Sequence, residues 1–129
     1  MNGYVANIED ETIANTDYRR VIYTSKQSQL VFMALKPGEE IGNEVHDGDQ
    51  FIRIEAGTGT AVLNNTQETA VSDGWSMLVP AGTWHNVTNT GTEALKLYTL
   101  YSPPQHLKDT VQATKADEVE DHFDGQTTE

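Results

Sequence analysis

The chain has 129 residues, of which 36% are hydrophobic, and it carries a formal net charge of −12. This length and composition predict one domain with an ordinary hydrophobic core. The chain contains no cysteine, which excludes disulfides, iron–sulfur clusters and thiolate zinc sites. Any metal must therefore be bound through nitrogen and oxygen atoms.

The acidic residues are concentrated at the two ends of the chain. Residues 1–16 carry a net charge of −3 and residues 107–129 carry −5, whereas the much longer central part carries −4. A negative protein without a basic stripe repels phosphate groups, so we expect no binding to nucleic acid or to an anionic membrane. The N-terminal residues lack the pattern of a secretory signal, and no apolar run is long enough to span a bilayer. We therefore expect a cytoplasmic location.

Between the acidic ends, short runs rich in Val, Ile, Leu, Thr, Tyr and Phe predict β-strands. The runs end at turn-forming clusters such as Ser72-Asp73-Gly74 and Pro80-Ala81-Gly82. About eight short strands at such spacing predict an all-β sandwich or small barrel. The predicted strands span residues 19–24, 29–36, 50–56, 59–63, 68–72, 75–79, 85–89 and 95–101.

These patterns divide the chain into three segments: an acidic N-terminal segment (1–16), a barrel (17–106) and an acidic C-terminal tail (107–129). Pro103-Pro104 follows the last predicted strand and favours an extended exit from the core. We expect the two acidic segments to be weakly ordered. Within the tail, a weak apolar repeat predicts one helix over residues 114–121.

Four polar side chains are predicted to point into the interior of the barrel. Glu44 and His46 lie two residues apart, so in an extended segment both project to the same face. Gln50 and His85 each share strand parity with apolar neighbours. Burying such groups without partners would cost roughly several kcal/mol, and shared coordination of a divalent cation offsets that cost.

The spacing of residues 74–89 resembles the second motif of the cupin superfamily, Gly-x5-Pro-x-Gly-x2-His-x3-Asn. All five motif positions are present, as Gly74, Pro80, Gly82, His85 and Asn89. The resemblance is specific, because five residue types must match at fixed spacing.

An earlier segment is similar to the first cupin motif, Gly-x5-His-x-His-x3-4-Glu-x6-Gly. The frame is kept by Gly38, Glu44, His46, Gln50 and Gly57, with Glu in place of the first His and Gln in place of the Glu. With the flanking strands, the resemblance covers roughly residues 17–104.

The resemblance implies a double-stranded β-helix, the jelly-roll barrel of cupins, with a divalent metal ion bound by Glu44, His46, Gln50 and His85. One carboxylate, two imidazoles and one amide oxygen sum to a charge of −1, which equals that of the usual three histidines and one glutamate. This donor set suits Mn²⁺, Fe²⁺, Ni²⁺ or Zn²⁺ without distinguishing among them. Gln50 is the weakest donor, and its alternative role is a hydrogen bond to one of the ligands.

Each assignment also has a structural alternative. His46 and His85 could be core histidines satisfied by backbone groups, and Glu44 could be a surface acid of an acidic loop. The motif glycines are expected to supply turns with positive φ, and Asn89 to have a structural role. His106 is assigned to the mobile surface, with a position over the barrel mouth as the alternative.

Cupins include isomerases, dioxygenases, lyases and ligand-binding proteins, so the resemblance implies a site but not a reaction. The first hypothesis is a small-molecule enzyme that uses the metal as a Lewis acid, in an isomerase- or lyase-like reaction. An Fe-dependent dioxygenase and a non-catalytic module that binds a sugar or small acid are the alternatives. Arg53 and Glu55 are expected to face outward, so no acid–base pair is identified beside the ligands.

Exposed strand edges in so small a barrel need protection, and cupin barrels commonly pair through such edges. We therefore expect a homodimer. Phe51, Trp75 and Trp84 lie out of parity with the ligands, and we expect them to pack on a sheet or in the dimer interface.

Overall fold

The computed structural model describes residues 2–119 and 121–129, which form mainly antiparallel β-strands. All eight predicted strands are present, each within one residue of its predicted bounds. The strands are β1 (Arg19–Thr24), β2 (Gln29–Leu35), β3 (Asp49–Ala56), β4 (Thr58–Leu63), β5 (Gln67–Ser72), β6 (Ser76–Val79), β7 (His85–Asn89), β8 (Leu95–Ser102) and β9 (Val111–Gln112).

The strands form two sheets with a hydrophobic core of side chains from both. A six-stranded sheet has the order β6-β3-β8-β2-β1-β9, and a three-stranded sheet has the order β5-β4-β7. Alternate residues of β8 are buried, namely Leu95, Leu97, Thr99 and Tyr101, as expected for a strand with one face on the core. The all-β prediction is therefore confirmed.

The N-terminal acidic run forms a helix, α1 (Ile8–Ala14), where the sequence analysis expected weak order. The Asn7 side chain caps this helix by accepting a hydrogen bond from the backbone N–H of Asp10 at 3.1 Å. Glu9, Asp10 and Glu11 occupy the first turn, where the helix dipole favours negative charge. The acidic cluster is therefore the beginning of a helix as well as a source of solubility.

The C-terminal tail also contains structure that the sequence analysis did not predict. Strand β9 pairs with β1, so that Gln112 lies opposite Arg19. The helix predicted over residues 114–121 is wrong, because the described part of that range forms only a short 3-10 helix at Lys115–Asp117. Glu120, which belongs to the same prediction, lies outside the described residues.

Beyond that turn, backbone hydrogen bonds attach the tail to the barrel. The Phe123 N–H donates to the Gln105 carbonyl at 3.0 Å, and the Thr128 N–H donates to the Thr24 carbonyl at 2.8 Å. The division of the chain at residues 16 and 106 stays a prediction. Within residues 2–119 and 121–129, no helix combines the length and the apolar character needed to cross a membrane.

Glu55 is buried, contrary to the prediction that it faces outward, and is only 5% exposed. The register of β3 against β8 shifts between Ile54 and Ala56, which breaks the simple alternation of faces. The Glu55 carboxylate forms an ion pair with Arg53, with 2.7 Å between Oε1 and Nε. This pair supplies the opposite charge that a buried carboxylate needs.

The motif glycines have the positive φ angles that the sequence analysis predicted. Gly57 shows why the residue type matters, because it combines a φ of 90° with a close backbone approach. A Cβ atom at this position would lie 2.7 Å from the Ala94 carbonyl oxygen, so a larger residue would collide with the backbone.

Asn89, the last residue of the second motif, has a structural role. Its side-chain amide donates to the carbonyls of Leu35 at 2.9 Å and Glu93 at 2.8 Å, and its Oδ1 accepts from the Gly91 N–H at 2.9 Å. The residue is only 1% exposed. Asn89 therefore joins β7 to the end of β2 and to the turn before β8.

Asn89→Ala should lower the free energy of unfolding by about 2 to 3 kcal/mol, because three buried or partly buried hydrogen bonds lose their partner. Asn86→Ala is the matched control, since the Asn86 side chain makes one hydrogen bond among the described residues, accepting from the Gly42 N–H, and it should cost about 1 kcal/mol. Urea denaturation of both variants measures the difference. Equal losses would contradict the structural role of Asn89.

Candidate metal centre

Three potential metal ligands from the two motif segments converge in the structure: Glu44, His46 and His85. One ligand atom of each lies within 4.8 Å of the other two. The Oε2 atom of Glu44 is 3.3 Å from Nε2 of His46, and the ring centroids of His46 and His85 are 5.2 Å apart. The fold thus brings together three of the four residues that the sequence nominates.

Backbone hydrogen bonds place Glu44 beside His85. The two residues form an antiparallel bridge in which each N–H donates to the other's carbonyl at 2.9 Å. The Gly82 N–H also donates to the His46 carbonyl at 2.9 Å. The segment with the first motif is therefore attached directly to the turn and strand of the second motif.

His85 is oriented as a metal ligand would be. Its Nδ1 lies 3.1 Å from the Thr83 carbonyl oxygen, a contact that assigns the proton to Nδ1 and leaves the lone pair on Nε2. The residue is fully buried, and its Nε2 has no hydrogen-bond partner among the described residues. Burial lowers the pKa of His85 below its usual value, so the neutral imidazole is favoured.

Gln50 is buried, as the strand parity predicts, and is 2% exposed. Its Nε2 donates to the Thr99 hydroxyl at 3.0 Å, whereas its Oε1 is buried without a partner in the described part of the chain. Gln50 lies opposite Tyr101 in the β3–β8 ladder, and the Tyr101 ring packs edge-on against His46 with 5.6 Å between centroids. Gln50 is therefore a cross-strand neighbour of Tyr101, which in turn contacts His46.

An open cleft of about 410 Å³ leads to the ligands and includes Glu44 and His46 in its wall. Trp84, which is 44% exposed, also lines this cleft. A larger cleft of about 640 Å³ lies beside α1 and is lined by none of the three ligands. A third cleft, of about 420 Å³, includes His46 but not Glu44. The 410 Å³ cleft, which includes both residues, is therefore the most relevant to the site.

His106 lines the cleft and is half-buried, whereas the sequence analysis assigned it to the mobile surface. The side chain of Gln29 fixes its backbone by accepting from the His106 N–H at 3.0 Å and donating to its carbonyl at 2.8 Å. The His106 ring packs edge-on against Tyr101, 5.1 Å between centroids. Burial lowers the pKa of His106 to about 3, so its imidazole is neutral near pH 7.

The cleft residues that the sequence analysis did not nominate include Arg19, Glu118 and His122. Glu118 and His122 belong to the tail. The path of the tail over the barrel depends on contacts between residues far apart in sequence. Of these residues, only Arg19 could have been nominated from the sequence. Its position in the predicted strand indicates a buried side chain, and a buried arginine is uncommon.

The donor set fits a divalent cation. Ligand atoms at about 2.1 Å from a shared ion lie about 3 to 4 Å from one another, which requires only a small contraction of the observed cluster. Two neutral imidazoles and one carboxylate suit Mn²⁺, Fe²⁺, Ni²⁺ and Zn²⁺. The buried and unpartnered Nε2 of His85 is the observation that a cation would explain.

Comparison with known proteins identifies relatives along most of the chain. A protein of Acanthamoeba polyphaga mimivirus (uncharacterized protein L612) is 50% identical over 107 residues, covering 80% of this chain and 67% of that protein. Bacillus subtilis YrkC, also described as uncharacterized, is 44% identical over 122 residues, covering 90% of this chain and 66% of that protein. The chain therefore spans about two thirds of the length of these curated relatives.

Solved structures support the same relationship. The crystal structure of BH2720 from Bacillus halodurans is 45% identical, has a TM-score of 0.87, and covers 90% of this chain and 92% of that one. KdgF from Halomonas sp. is 18% identical with a TM-score of 0.65, covers 80% of this chain and 94% of that one, and shows likeness of fold alone. The fold is thus the double-stranded β-helix that the sequence analysis predicted. Residues 31–101 match the family model described as Cupin domain, and the chain belongs to the cupin family.

Proposed function

We propose that this cupin binds a divalent metal ion through Glu44, His46 and His85 and uses it in an isomerase- or lyase-like reaction of a small molecule. The observation that carries the proposal is the buried His85 Nε2, which has no partner among the described residues and lies beside a second imidazole and a carboxylate. An unpaired buried nitrogen costs free energy, and coordination recovers it.

We assign the amide oxygen of Gln50 as a fourth donor. Its burial, its unpartnered Oε1 and the hydrogen bond that holds its Nε2 on Thr99 all support this role. Because Glu44 is then the one charged ligand, a divalent cation at the site would keep a net charge of about +1.

A bound cation would supply Lewis acidity that polarises a carbonyl or enolisable oxygen of the substrate. The protein residues around it would orient the substrate and fix the ligands. The Thr83 carbonyl holds the His85 ring in one tautomer. The neutral His106 ring, on the wall of the same cleft, would help to shape the space that a substrate enters beside the ligands.

One observation favours a second candidate, an Fe-dependent dioxygenase. Two histidines and one carboxylate are the ligand set of many non-haem Fe²⁺ oxygenases, provided that the remaining coordination positions are open. Here the three ligand residues form such a set. Oxygen consumption by the iron-loaded protein, absent from the Mn²⁺ form, would select this candidate.

We also propose that the protein forms a homodimer. An exposed apolar row crosses the outer face of the large sheet, in which Phe51 lies opposite both Leu78 and Leu100. Leu78 is 66% exposed and Leu100 37% exposed. Since β6, which carries Leu78, is an edge strand of this sheet, pairing of two copies here would cover both the apolar row and the free edge.

His46→Ala and His85→Ala should each reduce the bound metal from about one ion per chain to well below half. Each variant loses a ligand nitrogen that no neighbouring group replaces. His122→Ala is the matched control, because His122 lines the same cleft but is not part of the three-ligand cluster. Elemental analysis after loading with Mn²⁺ and desalting measures the ratio. Full occupancy in both ligand variants would rule out the proposed centre.

Turnover by the metal-loaded protein distinguishes the remaining functions. Reaction of an enolisable hydroxy-ketone without oxygen would support the Lewis-acid enzyme. Saturable binding without turnover in the Mn²⁺, Fe²⁺, Ni²⁺ and Zn²⁺ forms would instead support a binding module.

Gln50→Glu should destabilise the metal-free protein by about 1 to 3 kcal/mol at pH 7, because a buried carboxylate would replace a buried neutral amide. With metal, the variant should bind the ion at least as tightly as the wild type, since its ligand charge changes from −1 to −2. Thermal unfolding and calorimetric metal titration measure the two effects. If neither quantity changes, Gln50 does not coordinate the metal.

Leu78→Glu should convert the dimer to a monomer, because a charged side chain would be buried in the pairing face. Light scattering coupled to gel filtration should give twice the chain mass of 14.3 kDa for the wild type and the single mass for the variant. Thr69→Glu, on the exposed part of β5, should leave the dimer intact. A wild-type protein that is monomeric at all concentrations would refute the homodimer.

A further inference from the structure

Arg19 is a buried cation on the wall of the cleft. Its side chain is 3% exposed, and its Nη1 donates to Oε1 of Gln112 at 2.8 Å and to Oε2 of Glu118 at 2.9 Å. Its Nε is buried and has no hydrogen-bond partner among the described residues. A buried guanidinium with unused donors is costly unless anionic groups surround it.

Tyr18 completes a binding site around the same carboxylate. Its hydroxyl donates to Oε2 of Glu118 at 3.3 Å, and its ring lies 5.3 Å from the guanidinium carbon of Arg19. One oxygen of Glu118 therefore accepts hydrogen bonds from both residues. We call this arrangement of Arg19, Tyr18 and Gln112 the carboxylate cradle.

The cradle and the candidate metal centre share one cleft, whose wall includes Arg19 and Glu118 together with Glu44 and His46. Among the described residues that line it, Arg19 is the one lysine or arginine, and Glu44, Glu118 and Asp121 line the same cleft. Apart from a bound metal ion, Arg19 is therefore the group in this cleft that would attract an anion most strongly.

The carboxylate that occupies the cradle belongs to the tail and is partly exposed. Glu118 directly follows the 3-10 helix at Lys115–Asp117, and its side chain is 33% exposed, in contrast to the buried Arg19 and Tyr18. The donors are thus part of the barrel, whereas the acceptor lies on the surface segment. Displacing Glu118 would leave the cradle formed and empty.

We propose that the carboxylate cradle binds the carboxylate of a small acid whose other end reaches the metal, and that Glu118 occupies the cradle when the acid is absent. The inference deepens the proposed function and rests on it for the contact with the metal. It assigns small carboxylic acids as the substrate class and Arg19 as the residue that selects them. A guanidinium and a phenol recognise a carboxylate through hydrogen bonds to a negatively charged acceptor, which a neutral sugar or amide does not offer.

Succinate and its neutral diamide, succinamide, are suitable probes, and both are titrated first into the metal-free protein. If Glu118 fills the cradle about nine-tenths of the time, removing its charge in Glu118→Gln should raise the affinity for succinate about tenfold. Asp121→Asn makes the same change of charge in the same cleft without touching Arg19 and should change the affinity less than about twofold. Succinamide should bind none of the proteins.

A second readout uses thermal stability, which remains informative if binding is weak. Glu118→Gln should melt at a lower temperature than the wild type, because Arg19 loses its opposite charge, and succinate should restore part of that loss whereas succinamide should restore none. Arg19→Lys keeps the positive charge but loses the planar guanidinium, which can bind a carboxylate through two hydrogen bonds. In the Glu118→Gln background, this substitution should weaken succinate binding.

Equal gains in affinity from Glu118→Gln and Asp121→Asn would overturn the inference, since only the general field of the cleft would then matter. No gain from Glu118→Gln would overturn it as well. The titrations are repeated after loading with Mn²⁺, which should tighten succinate binding further. If no metal binds but the Glu118→Gln effect persists, the proposed function fails while the carboxylate cradle stands.

Discussion

Two backbone hydrogen bonds between Glu44 and His85 hold the candidate site together. Each is 2.9 Å long, and they join a segment outside the regular strands to the first residue of β7. Together with the Gly82–His46 hydrogen bond, this bridge fixes the residues of the first motif relative to those of the second. The site therefore depends on backbone pairing, which is less sensitive to the identity of the side chains it carries.

That dependence explains how this cupin departs from the usual residue types without losing the arrangement. Glu44 replaces a histidine and Gln50 replaces a glutamate, yet the bridge, the Gly82 turn and the Thr83 contact with His85 do not involve either side chain. In the proposed ligand set, the carboxylate would occupy the first motif position instead of the last, and the ligand charge would stay the same. The residue types at these motif positions can therefore differ among cupins while the backbone arrangement is kept.

The sequence was most informative where local patterns determine structure. Alternation and turn chemistry located eight strands, and strand parity correctly placed Gln50 and His85 inside. Glu55 broke the parity rule because a register shift, which a single sequence does not reveal, turned it inward. The helix at Ile8–Ala14 was missed because its acidic first turn was interpreted only as charge.

The contacts that place Glu118 and His106 in the cleft could not be predicted. Glu118 meets Arg19 across 99 residues of sequence, and His106 is fixed by Gln29 across 77 residues. Such contacts depend on the assembled barrel and leave no periodic signal in either segment. The motif residues of the cleft can thus be predicted from the sequence, whereas the residues brought there by long-range contacts are identified only in the folded structure.

The most direct test of the account is a crystal structure of the Mn²⁺-loaded protein with anomalous data collected for the metal. The account predicts one strong anomalous peak at about 2.0 to 2.3 Å from Nε2 of His85, a ring nitrogen of His46 and a carboxylate oxygen of Glu44. A fully loaded protein whose anomalous peaks all lie elsewhere, with these three side chains uncoordinated, would contradict it.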